Sequence, residues 1–232
     1  NWCCNEFSEL TDDGVWNKLV MPDELLIEKE EGAFYILIKY LTLHCQAFLG
    51  YIYNRANREL EVAEKLLLQT AKEFLELEKK GERGYLTIVP WKIISYFDEN
   101  YFNSSKVYQL YAGNLSEQDK KKEAGDAFLK CINITRKAYM SFNNNEEDKT
   151  DLSNVPAGAK PFENLAHILN IAGEFFRFPQ EGVNSQEMAV EFFKEAAELL
   201  EENIADLETF MENGDIRLLK YKDNYAFLLR LL

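Results

Sequence analysis

Apolar residues recur at intervals of three and four along most of the chain. That spacing predicts helices over 33–79, 89–118, 121–142, 161–177, 185–211 and 215–231. Between Ser185 and Phe210 the stripe Met188, Phe192, Ala196, Leu199, Leu200, Ile204 and Leu207 marks one inward face. Ser185 ahead of Glu187 reads as a capped start. Asn213-Gly214 reads as a stop, because this pair adopts left-handed backbone geometry at little cost. No period-two alternation competes for these segments. Gly81, Gly84 and Pro90 separate the long first helical region, which has room for an internal break, from the next. Residues 143–161 read as a polar loop and 178–184 as a turn. Long helices joined mostly by short turns predict an all-α fold, an antiparallel helical array in a single domain over 1–232 with 1–32 set apart. No sustained 34-residue repeat names a solenoid class.

A chain of 232 residues with 47% hydrophobic content has enough apolar surface for a sizeable core. Forty acidic against 26 basic residues give a net charge of −14, which repels phosphate backbones and argues against nucleic acid as a partner. Cys3, Cys4, Cys45 and Cys131 form no CxxC pair. With His44 and His167 as the only histidines, the spacing of a metal site is absent. Cys45 and Cys131 lie in periodic apolar segments as small hydrophobes, the usage of a reducing, cytoplasmic compartment. The N-x-[ST] matches at Asn103, Asn114 and Asn133 read as chance, the last falling mid-helix. The apolar run 33–53 is interrupted by Lys39, His44 and Gln46, so it reads as a central helix of an all-α domain and no membrane partner is expected.

Chemistry offers little to a catalytic reading. No Gly-rich phosphate loop, nucleophile elbow or HExxH is present, and Glu198, Glu201 and Glu202 read as a solvated acidic face. No cofactor is expected. Two amides stand out instead, Asn170 and Asn224, each among apolar residues of a late helix. A groove-facing amide must find hydrogen-bond partners, and two on neighbouring helices can hold the backbone of an extended peptide. Arg177 lies seven residues after Asn170, and Arg217 and Lys220 lie seven and four before Asn224. These spacings align cations with amides along one face and predict a polar wall suited to an acidic or phosphorylated segment.

Three late segments, 164–178, 185–202 and 215–229, resemble in order and spacing the last three helices of the 14-3-3 proteins. Leu169-Asn170 precedes the aromatic pair Phe175-Phe176, an Ala- and Glu-rich helix follows, and Lys222-Asp223-Asn224 stands where the family has Arg-Asp-Asn. Upstream, 119–142 is similar to the helix after that family's Asp-Asp-Lys-Lys turn. The resemblance implies a cup of about nine antiparallel helices, commonly dimeric. It implies a non-enzymatic adaptor that binds phosphoserine or phosphothreonine segments of partner proteins in a groove. Asn170 and Asn224 then hold guest backbone, and Leu169 is a groove leucine. The family's phosphate-gripping basic residues do not carry over: Gln46, Tyr53 and the pair Gln109-Leu110 occupy those positions. Arg55 and Arg58 are spare cations nearby. Cationic recognition is therefore expected to shift toward Arg177, Arg217 and Lys220. If phosphate dependence is lost altogether, the scaffold binds unmodified acidic or amphipathic segments or serves as a dimerisation subunit. Residues 1–32, with Trp2 and Trp16, do not resemble the family's first two helices.

Overall fold

The computed structural model describes residues 31–79, 102–143, 161–178, 185–210 and 216–232, and every regular element among them is an α-helix. In chain order these are α1 (Glu31–Arg55), α2 (Leu60–Lys79), α3 (Ser104–Glu117), α4 (Lys121–Asn143), α5 (Pro161–Phe176), α6 (Ser185–Phe210) and α7 (Ile216–Leu231). The first periodic region is two helices. Asn57 and Glu59 take left-handed backbone angles, with φ of 48° and 50°. The amides of Ala56 and Asn57 close back onto the carbonyls of Ile52 and Asn54, ending α1. α3 starts where Asn103 caps it, the side chain accepting from the Lys106 amide at 2.8 Å. Most of the predicted 89–118 helix ahead of Asn103 lies outside the described residues, as do Trp2 and Trp16.

Consecutive helices run antiparallel, because partner numbers fall on one as they rise on the other. Lys39 and Gln46 of α1 meet Glu73 and Thr70 of α2. Glu78 and Glu64 of α2 meet Ser104 and Gln118, at the two ends of α3. Ser105 and Tyr108 of α3 meet Thr135 and Lys130 of α4. Gly173 and Phe176 of α5 lie against Phe193 and Phe192 of α6. Every second helix is therefore parallel to its next-but-one neighbour. α1 touches α3 directly, Tyr40 donating to the Phe102 carbonyl and Asn114 to the Asn54 side chain. Arg136 of α4 grips Glu195 of α6 with two guanidinium bonds. The helices thus form two rows, α1, α3, α5 and α7 in one and α2, α4 and α6 in the other.

The core lies between the rows. Leu43, Leu67, Phe74, Tyr108, Leu115, Ile132, Leu165, Leu169, Phe176 and Phe193 are fully enclosed in one contiguous cluster. Each such side chain contributes roughly 1.5–3 kcal/mol of hydrophobic stabilisation. Close helix approach depends on two glycines. A Cβ at Gly50 would lie 2.7 Å from a Leu67 methyl, and one at Gly173 would lie 2.5 Å from the Phe193 ring. No helix among the described residues is long and apolar enough to cross a membrane.

Buried polar contacts lock the register. Glu78 is enclosed at the start of α3, where it accepts from the Ser104 amide at 2.8 Å and from its hydroxyl. Burial pushes its carboxyl up to about 7, and the two Ser104 bonds only partly oppose that. Ser105, Cys131 and Thr135 form a second buried knot between α3 and α4, with the Cys131 thiol pushed up to about 12 by burial. At the other end of α3, Asn114 and Gln118 both donate to the Leu60 carbonyl, at 3.2 and 3.4 Å. Asn103 and Asn114 are buried and engaged, so neither can carry a glycan.

Gly173→Ala is expected to destabilise the fold by roughly 1–3 kcal/mol through overpacking. Adding Phe193→Leu in urea unfolding is expected to recover part of that loss; no recovery would count against the close contact. Because the folded-state pKa of Glu78 is raised, folding favours its protonated form. Its contribution is full below the unfolded value of 4.5 and is lost as pH climbs through about 7. Stability is expected to fall over roughly pH 5 to 8 by an amount on the order of 3 kcal/mol. Glu78→Gln should flatten that part of the profile.

Candidate functional site

The two rows present different surfaces. The row of α2, α4 and α6 shows solvent a dense mixture of charges, among them Lys65, Lys72, Lys122, Asp126, Lys137, Glu191, Glu198 and Glu202. The opposite row is amphipathic. Phe48 and Ile52 of α1 and Leu219 and Phe227 of α7 are exposed, while Tyr51, Leu110 and Ile171 are half-buried. A Cβ at Gly113 of α3 would meet nothing within 4 Å, so open space borders that helix.

The centre of this row is α5. Its outward strip runs through Asn164, His167, Asn170, Ile171 and Glu174, all solvent-reached, whereas Leu165, Ile168, Leu169 and Ala172 are buried. At 100° per residue His167 stands at the crest, with Asn164 and Asn170 on opposite shoulders. Phe175, on the Asn164 side, stacks on Phe128 of α4. Gly173, on the Asn170 side, backs onto Phe193 of α6. Both amides hide one polar atom without a partner among the described residues, Nδ2 of Asn164 and Oδ1 of Asn170. Leaving such an atom unpaired costs about 1–3 kcal/mol. Turning the amide exchanges which atom is enclosed, so the deficit survives either assignment.

Lys106 of α3 faces the same area. Its ammonium lies 5.6 Å from the centre of the Phe102 ring, and His44 of α1 meets that ring edge-on at 5.0 Å. Burial, then Lys106, lower the pKa of both imidazoles, that of His44 to about 4. His167 keeps an exposed edge, yet surrounding side chains strip enough water to move it in the same direction. Both rings are therefore mostly neutral near pH 7.

The sequence-predicted residues are distributed unevenly over this geometry. Asn170 stands on the central strip. Asn224 is exposed on α7, which, like α5, packs against α6. Lys220 is exposed one turn before it, and the side chain of Arg217 lies outside the described residues. Leu169 has no accessible surface and packs within the core, directly behind the strip. Arg177 is exposed just past the end of α5. It pairs with Glu174 at 3.5 Å and stacks over Phe178 at 5.5 Å, so its charge is partly answered within its own turn. Gln46 turns toward α2, where Thr70 donates to it at 3.5 Å, while Tyr53 and Gln109 are half-buried. Arg55 and Arg58 are exposed at the far end of α1 from His44. Asn164, Lys106, His44 and His167 were not predicted as site residues.

Protein-family models, curated proteins and solved structures show no match to this chain. Function must be argued from its own residues. Among the described residues no group of three or more His, Cys, Asp or Glu side chains is placed to hold a metal ion.

If the two amides serve a guest and not the fold, Asn170→Leu and Asn164→Leu should leave stability unchanged or raise it by about 1 kcal/mol, since each removes an unpaired buried polar atom at similar volume. Thermal unfolding of each variant checks this. A loss greater than about 1 kcal/mol would show that the amide is structural.

Proposed function

We propose that this protein is a non-enzymatic adaptor that holds extended segments of partner proteins along the amphipathic row of α1, α3, α5 and α7. The observation that carries the reading is the half-exposed amide of Asn170 on the outward strip of α5, whose enclosed Oδ1 finds no partner among the described residues. A peptide is the ligand class whose backbone supplies donors and acceptors at regular spacing. An extended one makes no internal backbone bonds and points the groups of successive residues to opposite sides, so side chains on either shoulder of α5 can pair with them. Exposed apolar residues such as Phe48, Ile52 and Phe227 suit the guest's side chains. Asn224, one helix beyond, is the second backbone clamp.

The sequence resemblance to 14-3-3 proteins supports the same reading, and with it a cup of about nine helices that binds phosphoserine or phosphothreonine segments in a cytoplasmic setting. The resemblance also implies pairing of two copies, although residues 1–32 do not resemble the family's first two helices. The neutral residues Gln46, Tyr53 and Gln109 favour a second reading, in which recognition no longer requires phosphate.

Peptide pools matched in sequence and differing only in phosphorylation separate the two readings. Fluorescence anisotropy should show capture by the native protein. Asn170→Ala and Asn224→Ala should each weaken it by roughly three- to tenfold, the worth of one hydrogen bond. Equal affinity for the two pools selects the phosphate-independent reading. Capture unaffected by both substitutions defeats the adaptor proposal.

A further inference from the structure

α1 carries an outward apolar line where other helices carry charge. At 100° per residue, Leu41, Cys45, Phe48 and Ile52 fall within about 60° of one another, and the exposed Arg55 continues the line. Phe48 and Ile52 are 44% and 43% exposed, and the Tyr51 ring lies 6.2 Å from that of Phe48. The outward line of α2 reads Glu61, Lys65, Lys72 and Glu76 instead, and that of α4 reads Lys122, Asp126 and Lys137. The opposite side of α1, with Leu43 and Ala47, is buried in the core. A helix apolar on both sides is suited to being covered on both.

Charge and reach identify the cover. Residues 1–30, outside the described part of the structure, lead directly into α1 and carry eight acidic side chains against Lys18 and Lys29. Between Ile38 and Arg55 the helix holds no carboxylate, and Arg55 and Arg58 stand exposed at its far end, with Glu59 and Glu61 just beyond. The same segment holds large apolar groups, among them Trp2, Phe7, Trp16 and Leu19. With 25 residues α1 is about 37 Å long. Thirty extended residues reach as far as ~100 Å, so the segment can follow the helix from end to end. Being attached, it meets the face at an effective concentration on the order of millimolar. A second copy would bring its own charge of −14 and the same two arginines. Residues 80–101 are apolar too, but Glu82, Asp98 and Glu99 are balanced there by Lys80, Arg83 and Lys92.

We propose that residues 1–30 dock on the outward line of α1 and act there as an internal competitor, which a guest must displace to reach Phe48 and Ile52. Docking stands on this face and this segment, whereas competition rests on the peptide-binding reading.

The photoreactive residue p-benzoylphenylalanine in place of Phe48, in the 232-residue chain, tests both. Irradiation should form cross-links within one chain, and mass spectrometry should locate them in residues 1–30. Arg55→Glu with Arg58→Glu should lower their yield by roughly threefold or more, since attraction becomes repulsion at two positions. Cross-links that join two chains, that fall in residues 80–101, or that do not form would overturn docking. The peptide pools, phosphorylated or not, should lower the internal yield in step with their anisotropy-measured occupancy. Trp16→Ser should tighten capture of the same pools by roughly threefold or more, because a face blocked most of the time lowers apparent affinity by its open fraction. An unchanged yield beside a captured guest, or no gain in Trp16→Ser, would overturn competition. Internal cross-links with no guest captured by either chain defeat the adaptor reading and leave docking standing. Guest capture with no internal cross-link defeats docking and leaves the adaptor reading standing.

Discussion

Register between neighbouring helices is the constraint on which the rest depends. A helix array can slide by a turn along its axes at modest cost in apolar contact, since leucine meets leucine again 5.4 Å further on. Buried polar groups forbid that slip. Glu78 fits only the start of α3, where a free amide and the Ser104 hydroxyl await it. Ser105, Cys131 and Thr135 must meet one another, and Asn114 and Gln118 must reach the Leu60 carbonyl. Moving any of these by one turn would strand a buried polar group at about 1–3 kcal/mol each. The same locks that stop sliding hold the helices of the amphipathic row in place.

Periodicity made the helices legible because a helix must bury a stripe, and the mixed steps of four and three through Phe192, Ala196, Leu199 and Leu200 share one helix face but would fall on both faces of a strand. The break between α1 and α2 was less visible. Asn57 and Glu59 carry the left-handed angles there without a glycine to announce them. Asn170 was legible as an amide out of place. Leu169 was not legible in the same way, because adjacent residues on a helix differ by 100° and a site at Asn170 says little about its neighbour's direction. The histidines and Lys106 carried no local signal. Each is ordinary on its own helix, and contacts such as those of His44 and Lys106 with the Phe102 ring depend on the register and on no spacing within the chain.

Asn164 shows the limit from the other side. It begins the segment that drew attention to Asn170, yet from sequence an asparagine near a helix start reads as a capping or first-turn residue. Only its place on the shoulder of α5, with one amide atom enclosed and unanswered, separates it from that role. The arrangement costs stability that an apolar residue would not.

Net charge poses the remaining physical question, since a chain at −14 repels an anionic guest at long range. Screening resolves much of it. At physiological salt the Debye length is about 8 Å, shorter than the roughly 10 Å diameter of a single helix. The acidic residues of α6, such as Glu198 and Glu202, face away in the other row and are largely screened from the front. Local donors then decide the affinity of a docked anion, while the distant charge reduces its rate of arrival. The even row, carrying most of the exposed charge, also discourages nonspecific apolar association. Exposed apolar side chains occur on both rows, Val62, Met140 and Val190 on one and Phe48, Ile52 and Phe227 on the other, but only the second combines them with the half-exposed amides of Asn164 and Asn170.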